Sequence, residues 1–313
     1  MSQVRILSEA EVRSHLDPVQ LIASLESAFR DRFPQIHMPL RTHMNLAEGV
    51  FLTMPCYDPT GSALGMKLVM VRHHPEPADQ RVQSTYLLFD RISATPRLIL
   101  SARHLTEVRT AATSALATKF LARAHAQTLG IFGVGRQARA HLEILPLVRR
   151  FTRALICGRD PFSTRDFAQQ MSVTCSFPVE PADASACAVN SDVLCLCTTS
   201  ASPLFDGHLL RPGTHLNLVG SFQPHTREVD SYTMQHATVA VDTYSGALSE
   251  AGDILLPMSE GVIDRDHIRL DLHQLVSQGS IARKTSNEIT IFKSVGCALE
   301  DLVAAELVQA SLA

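Results

Sequence analysis

A chain of 313 residues is long enough to bury a large core and suggests about two domains. Hydrophobic residues at 45% and charged residues at 19% are the balance of a globular protein, not of a disordered one. A formal net charge of -3 supplies no basic field for nucleic acid or an anionic membrane surface, and no apolar run approaches a membrane span.

The N-terminus MSQVRILSEAEV lacks the apolar stretch of a signal peptide. The seven cysteines are odd in number and scattered, as buried thiols in a reducing compartment are. Both features point to the cytoplasm. Cys195 and Cys197, two apart in VLCLC, share a strand face, and neither they nor the histidines, the pair His73-His74 included, have metal-site spacing. No metal is expected.

Residues 7–33 read as helices. Ser8 and Glu11 form a capping box, and Asp17 precedes a second helix with Pro18 at its first position. RTHMNL and VFLTMP flank a turn at 47–49 and read as a hairpin. In ALGMKLVMV, Lys67, Val69 and Val71 share one strand face and Met66, Leu68 and Met70 the other. STYLLFD and PRLILSA complete an antiparallel meander. A helix from about Thr106, rich in Ala and Leu, places Arg109 near its start.

From residue 128 strands alternate with helices. Candidate strands are 128–132, 153–157, 192–197, 215–219 and 238–242, the pattern of a doubly wound parallel sheet. The first of them leads into TLGIFGVGRQARAH, where Gly133, Gly135 and Ala138 make G-x-G-x-x-A between a strand and a helix. Gly133 allows a tight turn, Gly135 lets backbone approach a pyrophosphate, and Ala138 lets helix and strand pack closely. The helix N-terminus offers N–H groups and positive potential to phosphate. The motif predicts a dinucleotide site.

Three cations invite explanation. Lys67 lies in an otherwise apolar strand, either reaching solvent from a strand edge or buried with a partner. Arg41 opens a strand as a surface charge or a ligand. Arg109, near a helix start, gains nothing from the helix dipole and would suit a bound carboxylate. At the end of the second parallel strand, where an acid often holds the ribose hydroxyls, stand Cys157 and Gly158, followed by Arg159. This favours NADP(H) over NAD(H), unless Arg159 is simply solvated and Asp160 caps the next helix. Thr198, Thr199 and Ser200, with Val219, Gly220 and Ser221, follow later strands and would line a nicotinamide crevice. Both could equally be ordinary turns.

The stretches RTHMNL, GMKLV, STYLLFD, EVRTAATSALATKFLA, GIFGVGRQARAH, HLNLVGSFQPHTREVD and EITIFKSVGCALEDL resemble the ornithine cyclodeaminase/mu-crystallin family over nearly the whole chain. The resemblance implies a Rossmann-type doubly wound parallel sheet at 118–287, inserted in a discontinuous α+β substrate-binding and dimerisation domain at 1–117 and 288–313. It implies a homodimer, which would also protect the meander's edges. It places Arg41, Lys67 and Arg109 around a substrate carboxylate and reacting nitrogen, Arg136 and Gln137 on the pyrophosphate, and Val295 beside the nicotinamide. Ornithine-processing members look like V-G-G-D where this chain has Val219-Gly220-Ser221-Phe222, and carry a glutamate aligned with Leu52. Without those acids, a pocket suits reduction of a cyclic imino acid, or interconversion of a small keto acid and its amino acid, over ornithine cyclisation. Ornithine cyclodeamination and non-catalytic NADPH-dependent binding are the rival readings. Should ornithine be processed after all, Glu228 or Glu48 would have to stand in for the missing acids.

Overall fold

The computed structural model describes residues 4–61, 63–73, 81–279 and 283–312; His74 of the histidine pair lies outside them. The chain divides into two compact units, residues 1–109 with 297–313, and residues 110–296.

In the first unit, β1 (Arg5–Leu7) precedes α1 (Glu9–His15) and α2 (Pro18–Ser27). The Ser8 hydroxyl accepts from the Glu11 N–H while the Glu11 carboxylate accepts from the Ser8 N–H. The Asp17 carboxylate caps α2, whose first residue is Pro18. The meander follows as β2 (Thr42–Leu46), β3 (Gly49–Tyr57), β4 (Ala63–Arg72), β5 (Val82–Asp90) and β6 (Pro96–Ser101), each antiparallel to the next. Arg41 lies one residue before β2 rather than opening it. β1, which no local pattern announces in three residues, adds in parallel beside β6, and the sheet order is β1-β6-β5-β4-β3-β2.

Alternation along β3 and β4 sets the two faces. Leu52, Met54, Lys67, Val69, Tyr86 and Leu88 are buried under α11 (Ala298–Ser311), while Phe51, Met66, Leu68, Met70 and Leu87 are only half-buried. β4 is interior to the sheet, so Lys67 cannot reach solvent past an edge; it is 2% exposed, and the solvent-reaching alternative fails.

The division between units falls inside α3 (Ala102–Leu121), at Arg109/Thr110 rather than at 117/118. α3 starts four residues before the expected Thr106, because PRLILS runs straight into it. Arg109 therefore sits beyond the first turn, where the dipole argument no longer applies. In its second-unit part, Ala111, Ala112, Thr113, Ser114, Ala115 and Leu116 are all buried, as small side chains on every side of a helix permit.

The second unit is an eight-stranded sheet, every adjacent pair parallel. Its strands are β7 (Thr128–Phe132), β8 (Arg153–Cys157), β9 (Val179–Pro181), β10 (Val193–Leu196), β11 (His215–Leu218), β12 (Ala237–Val241), β13 (Ile268–Asp271) and β14 (Ile289–Lys293). The order is β13-β12-β14-β11-β10-β7-β8-β9. All residues of β7, β10 and β11 are buried, the mark of a parallel sheet covered on both faces. β14 corrects the expected boundary at 288: its hydrogen bonds to β11 and β12 place it in this sheet, and the chain leaves the unit only after Gly296.

From β7 the chain winds outward through α4 (Arg136–Ile144) to β8 and α5 (Pro161–Thr174) to β9. It then returns through α6 (Ala184–Asn190) to β10 on the other side of β7. That reversal between β7 and β10 is where doubly wound sheets open a ligand crevice at their carboxyl ends. Gly133 follows β7 at φ 112°, and a Cβ there would stand 2.8 Å from the Cys197 carbonyl oxygen. Gly133→Ala is expected to cost about 1–3 kcal/mol through that backbone strain, read as a lower urea midpoint without a change in slope.

Candidate active site

The first unit gathers cations around buried acids. Lys67 on β4 and Arg109 on α3 both reach Asp301 on α11, which is 0% exposed. Asp301 Oδ1 accepts from Lys67 Nζ at 2.9 Å and from Arg109 Nε at 3.0 Å, and Oδ2 lies 2.7 Å from Nζ. A terminal guanidinium nitrogen of Arg109 donates to Glu300. Burial pushes the Lys67 pKa down to about 8; Arg109 and Arg41 push the same way, and Asp301 opposes them. Arg109 is held above its ordinary range, because Asp301 and Glu300 outweigh the burial that works against its charge. Arg41 is half-buried and within electrostatic reach of Lys67. The three cations named by the sequence are thus brought together, and Glu300 and Asp301 are acids it did not single out.

Beside them the wall is apolar. On β3, Met54 pairs with Lys67 and Leu52 with Val69, so Leu52, 5% exposed, is a diagonal neighbour of Lys67 on the same face. Glu48 lies exposed in the β2–β3 turn.

In the second unit, the residues named for a cofactor stand at the carboxyl ends of five adjacent strands. Arg159 follows β8; Gly133 to Ala138 join β7 to α4; Thr198 and Thr199 follow β10; Val219 to Ser221 follow β11; Val295 follows β14. Several features fit a dinucleotide. Gly135 is the N-cap of α4 and has no side chain to cap it. A Cβ on Gly135 would meet nothing within 4 Å, so that glycine answers no neighbour in the fold. The buried Oε1 of Gln137 has no hydrogen-bond partner. Arg136 and Arg159 are exposed, and Ala138 is buried against the sheet. Asp160 is occupied as the cap of α5, accepting from Ser163 N at 2.7 Å and Ser163 Oγ at 2.6 Å.

Buried carboxylates hold these loops. Glu228 Oε1 accepts from Thr198 N at 2.8 Å and Thr198 Oγ1 at 2.7 Å; its Oε2 accepts from Gly220 N at 2.8 Å and Ser221 N at 3.3 Å. One side chain thus ties the loop after β10 to the loop after β11. Asp253, on α9 (Gly252–Ser259), accepts from Glu228 N at 2.6 Å. Lys293 Nζ lies 2.9 Å from Asp253 Oδ2 and donates to the Ser221 carbonyl. Burial, then Asp253, raises the Glu228 pKa, while four donors aimed at its two oxygens favour the ionised form. Asp242, just past β12, accepts from Val295 N at 2.8 Å and Gly296 N at 2.6 Å. The hydroxyls of Thr198 and Ser221 are directed to Glu228 and Thr226. Both loops are therefore clamped turns rather than a ready-made row of hydroxyl donors. Glu228 is engaged in this clamp, and Phe222 stands 36% exposed just past it.

Lys293 carries the same signal as Lys67, a cation in an apolar strand, and is a functional residue that the sequence reading misses. Glu228, Asp253 and Asp242 gave no local signal of these roles, since the backbone and side-chain groups they hold are brought near only by the fold.

All seven cysteines are free, and among the described residues no group of three or more His, Cys, Asp or Glu is placed to hold a metal. Among the same residues no helix is long and apolar enough to cross a membrane.

Lys293→Met would leave Asp253 buried without its cation. The expected cost is about 3–5 kcal/mol in urea unfolding, well above the loss from shortening a surface lysine.

The model of the ornithine cyclodeaminase/mu-crystallin family matches residues 2–313. A Delta(1)-pyrroline-2-carboxylate reductase of Bacillus cereus is 33% identical over 273 residues, covering 86% of this chain and 84% of its own. The ketimine reductase mu-crystallin of Mus musculus is 34% identical over 311 residues, covering 96% of this chain and 95% of its own. Among solved structures, the Delta(1)-pyrroline-2-carboxylate reductase of Thermococcus litoralis, in complex with NADH and L-proline, superposes with a TM-score of 0.94 at 34% identity, over 98% of this chain and 97% of that one.

Proposed function

Since the chain belongs to the ornithine cyclodeaminase/mu-crystallin family, we propose that it is a nicotinamide-dependent oxidoreductase acting at the α-carbon of a small imino or amino acid. Its favoured substrate class is the cyclic imino acid of pyrroline-2-carboxylate type; interconversion of a small keto acid and its amino acid is the same chemistry with ammonia added. The observation that carries this reading is the convergence of Lys67, Arg109 and Arg41 beside the apolar Leu52. Cations for one carboxylate are present, and no acid stands at position 52 or 222 for a second ammonium.

In this reading Arg41 and Arg109 hold the substrate carboxylate. Lys67, with a pKa near 8, is charged at neutral pH and close enough to its midpoint to give a proton to the imine nitrogen. A bound nicotinamide cofactor supplies or accepts the hydride. Gly133, Gly135, Arg136, Gln137 and Ala138 would hold its pyrophosphate. Thr198, Thr199, Val219, Gly220, Ser221 and Val295 would border the nicotinamide half. Arg159 would meet a 2′-phosphate, and Asp160, spent on its helix cap, would not compete for ribose hydroxyls. NADP(H) is therefore favoured over NAD(H). The units then have the roles of a substrate-binding and dimerisation domain and a cofactor domain.

The decisive assay follows absorbance at the nicotinamide band. Net consumption of NAD(P)H with a cyclic imino acid, or with a keto acid plus ammonia, is expected, faster with NADPH at limiting concentration. Ornithine should give little or no proline, because its distal ammonium would enter the site without a partner at a cost of several kcal/mol. Rapid release of proline and ammonia from ornithine would overturn the reading, and cofactor binding with no turnover would favour a binding protein. In the cofactor arm, Arg159→Ala should narrow the NADPH preference by about 1.5–3 kcal/mol.

The half-buried sheet face of Phe51, Met66, Leu68, Met70 and Leu87 supports a homodimer formed through the first unit. Sedimentation at micromolar concentration should give twice the 34.2 kDa chain mass, and a stable monomer would refute it. The free thiols fit a cytoplasmic setting.

A further inference from the structure

The proposed chemistry uses Lys67, Arg109 and Arg41 and leaves Asp301 unassigned. Asp301 is fully buried, and its carboxylate is the common partner of two cations that arrive on different elements, Lys67 on β4 and Arg109 on α3. The lysine is 234 positions away in sequence and the arginine 192, so the contact exists only in the fold. A lysine alone is a point charge on a flexible four-carbon stem, and an arginine beside it would repel it. One carboxylate accepting from both sets their separation and cancels part of that repulsion. We propose that Asp301 is a positioning residue: it fixes the Lys67 ammonium against Arg109 and keeps it charged towards the substrate. This rests on the reading of Lys67 and Arg109 as substrate-contacting groups.

The surroundings of Lys67 agree. Arg109 and Arg41 disfavour its charge, and Asp301 is the acid that opposes them. Glu300 answers Arg109. Tyr86, opposite Lys67 on β5, and Cys56, on β3, are both buried, and burial raises the pKa of each, so neither supplies an anion. Glu306 is turned to Arg32, and Asp58 likewise. Removing the Asp301 charge should therefore lower the Lys67 pKa further, and a larger fraction of the protein would carry a neutral lysine at neutral pH.

The chain contains four lysines, at 67, 119, 284 and 293, so protein labelled with carbon-13 at lysine Cε gives four resonances. Loss of one signal in Lys67→Arg assigns the relevant resonance. Asp301→Asn is expected to lower the Lys67 midpoint by about one pH unit or more, and to move the basic limb of the imino-acid KM profile by the same amount, with kcat falling less. Asp301→Glu keeps the charge but displaces it by a methylene. It should hold the midpoint within about half a unit while raising KM by about tenfold. An unmoved lysine midpoint in Asp301→Asn, or a KM limb that stays in place while the midpoint moves, overturns the proposal. If Asp301→Asn does not fold, Asp301→Glu decides, and an unchanged KM overturns it. A wild-type protein that reduces no imino acid counts against the functional reading instead, and the lysine titration still reports whether Asp301 governs Lys67.

Discussion

Taking an ion out of water costs several kcal/mol unless another charge and enough hydrogen bonds replace the lost hydration. This chain accepts that cost in each unit, at the places where chemistry is proposed. In the first, Lys67 and Arg109 are matched by Asp301 and Glu300. In the second, Lys293 is matched by Asp253, and Glu228 is satisfied by four N–H or O–H donors. Each cluster is buried, so each interaction is stronger than it would be at the surface. Each is also intolerant of losing a member.

The clusters do different work. In the second unit the acids hold backbone N–H groups, Asp253 pairing with the Lys293 ammonium as well. Glu228 and Asp242 fix loops that follow β10, β11 and β14, and so set the rim where a doubly wound sheet meets its ligand. The sheet delivers the strand ends to one edge, and the buried acids turn those ends into defined turns. In the first unit the acids point at side chains. There the fold places mobile cations, whose long stems would otherwise cost entropy to hold.

How much of this was legible follows from what each signal depends on. The Ser8–Glu11 capping box, five of the eight parallel strands and the glycine turn depend on neighbours in sequence and appear where local pattern places them, whereas β9, β13 and the place of β14 in this sheet did not. The start of α3 did not, because the strand PRLILS runs straight into the helix at Ala102 with no turn between them, and with it went the dipole argument for Arg109. Lys67 was ambiguous for a different reason. A charged residue in an apolar strand is exposed if the strand is an edge and buried if it is interior, and strand order is not a local property. The resemblance resolved that point by analogy, and the interior place of β4 resolves it physically. Asp301 could be read only as an acid in the first turn of a helix, where it would serve the dipole. Its pairing with Lys67 spans most of the chain.

The position of Leu52 joins these threads. It lies diagonally across the β3–β4 ladder from Lys67, at a separation of about 7–8 Å by the geometry of antiparallel pairs. A glutamate there would be a second anion competing with Asp301 for the same ammonium. It would draw Lys67 away from Arg109 and would itself be available to a substrate amine. Leucine removes both possibilities. It leaves Lys67 with Asp301 as its acid and puts an apolar, buried side chain on the same face of the sheet. If Lys67, Arg109 and Arg41 meet the substrate as proposed, an apolar residue at position 52 makes the site poorer for a second amine and firmer for a carboxylate beside an imine, so that the absence of an acid there bears on substrate as much as the three cations do.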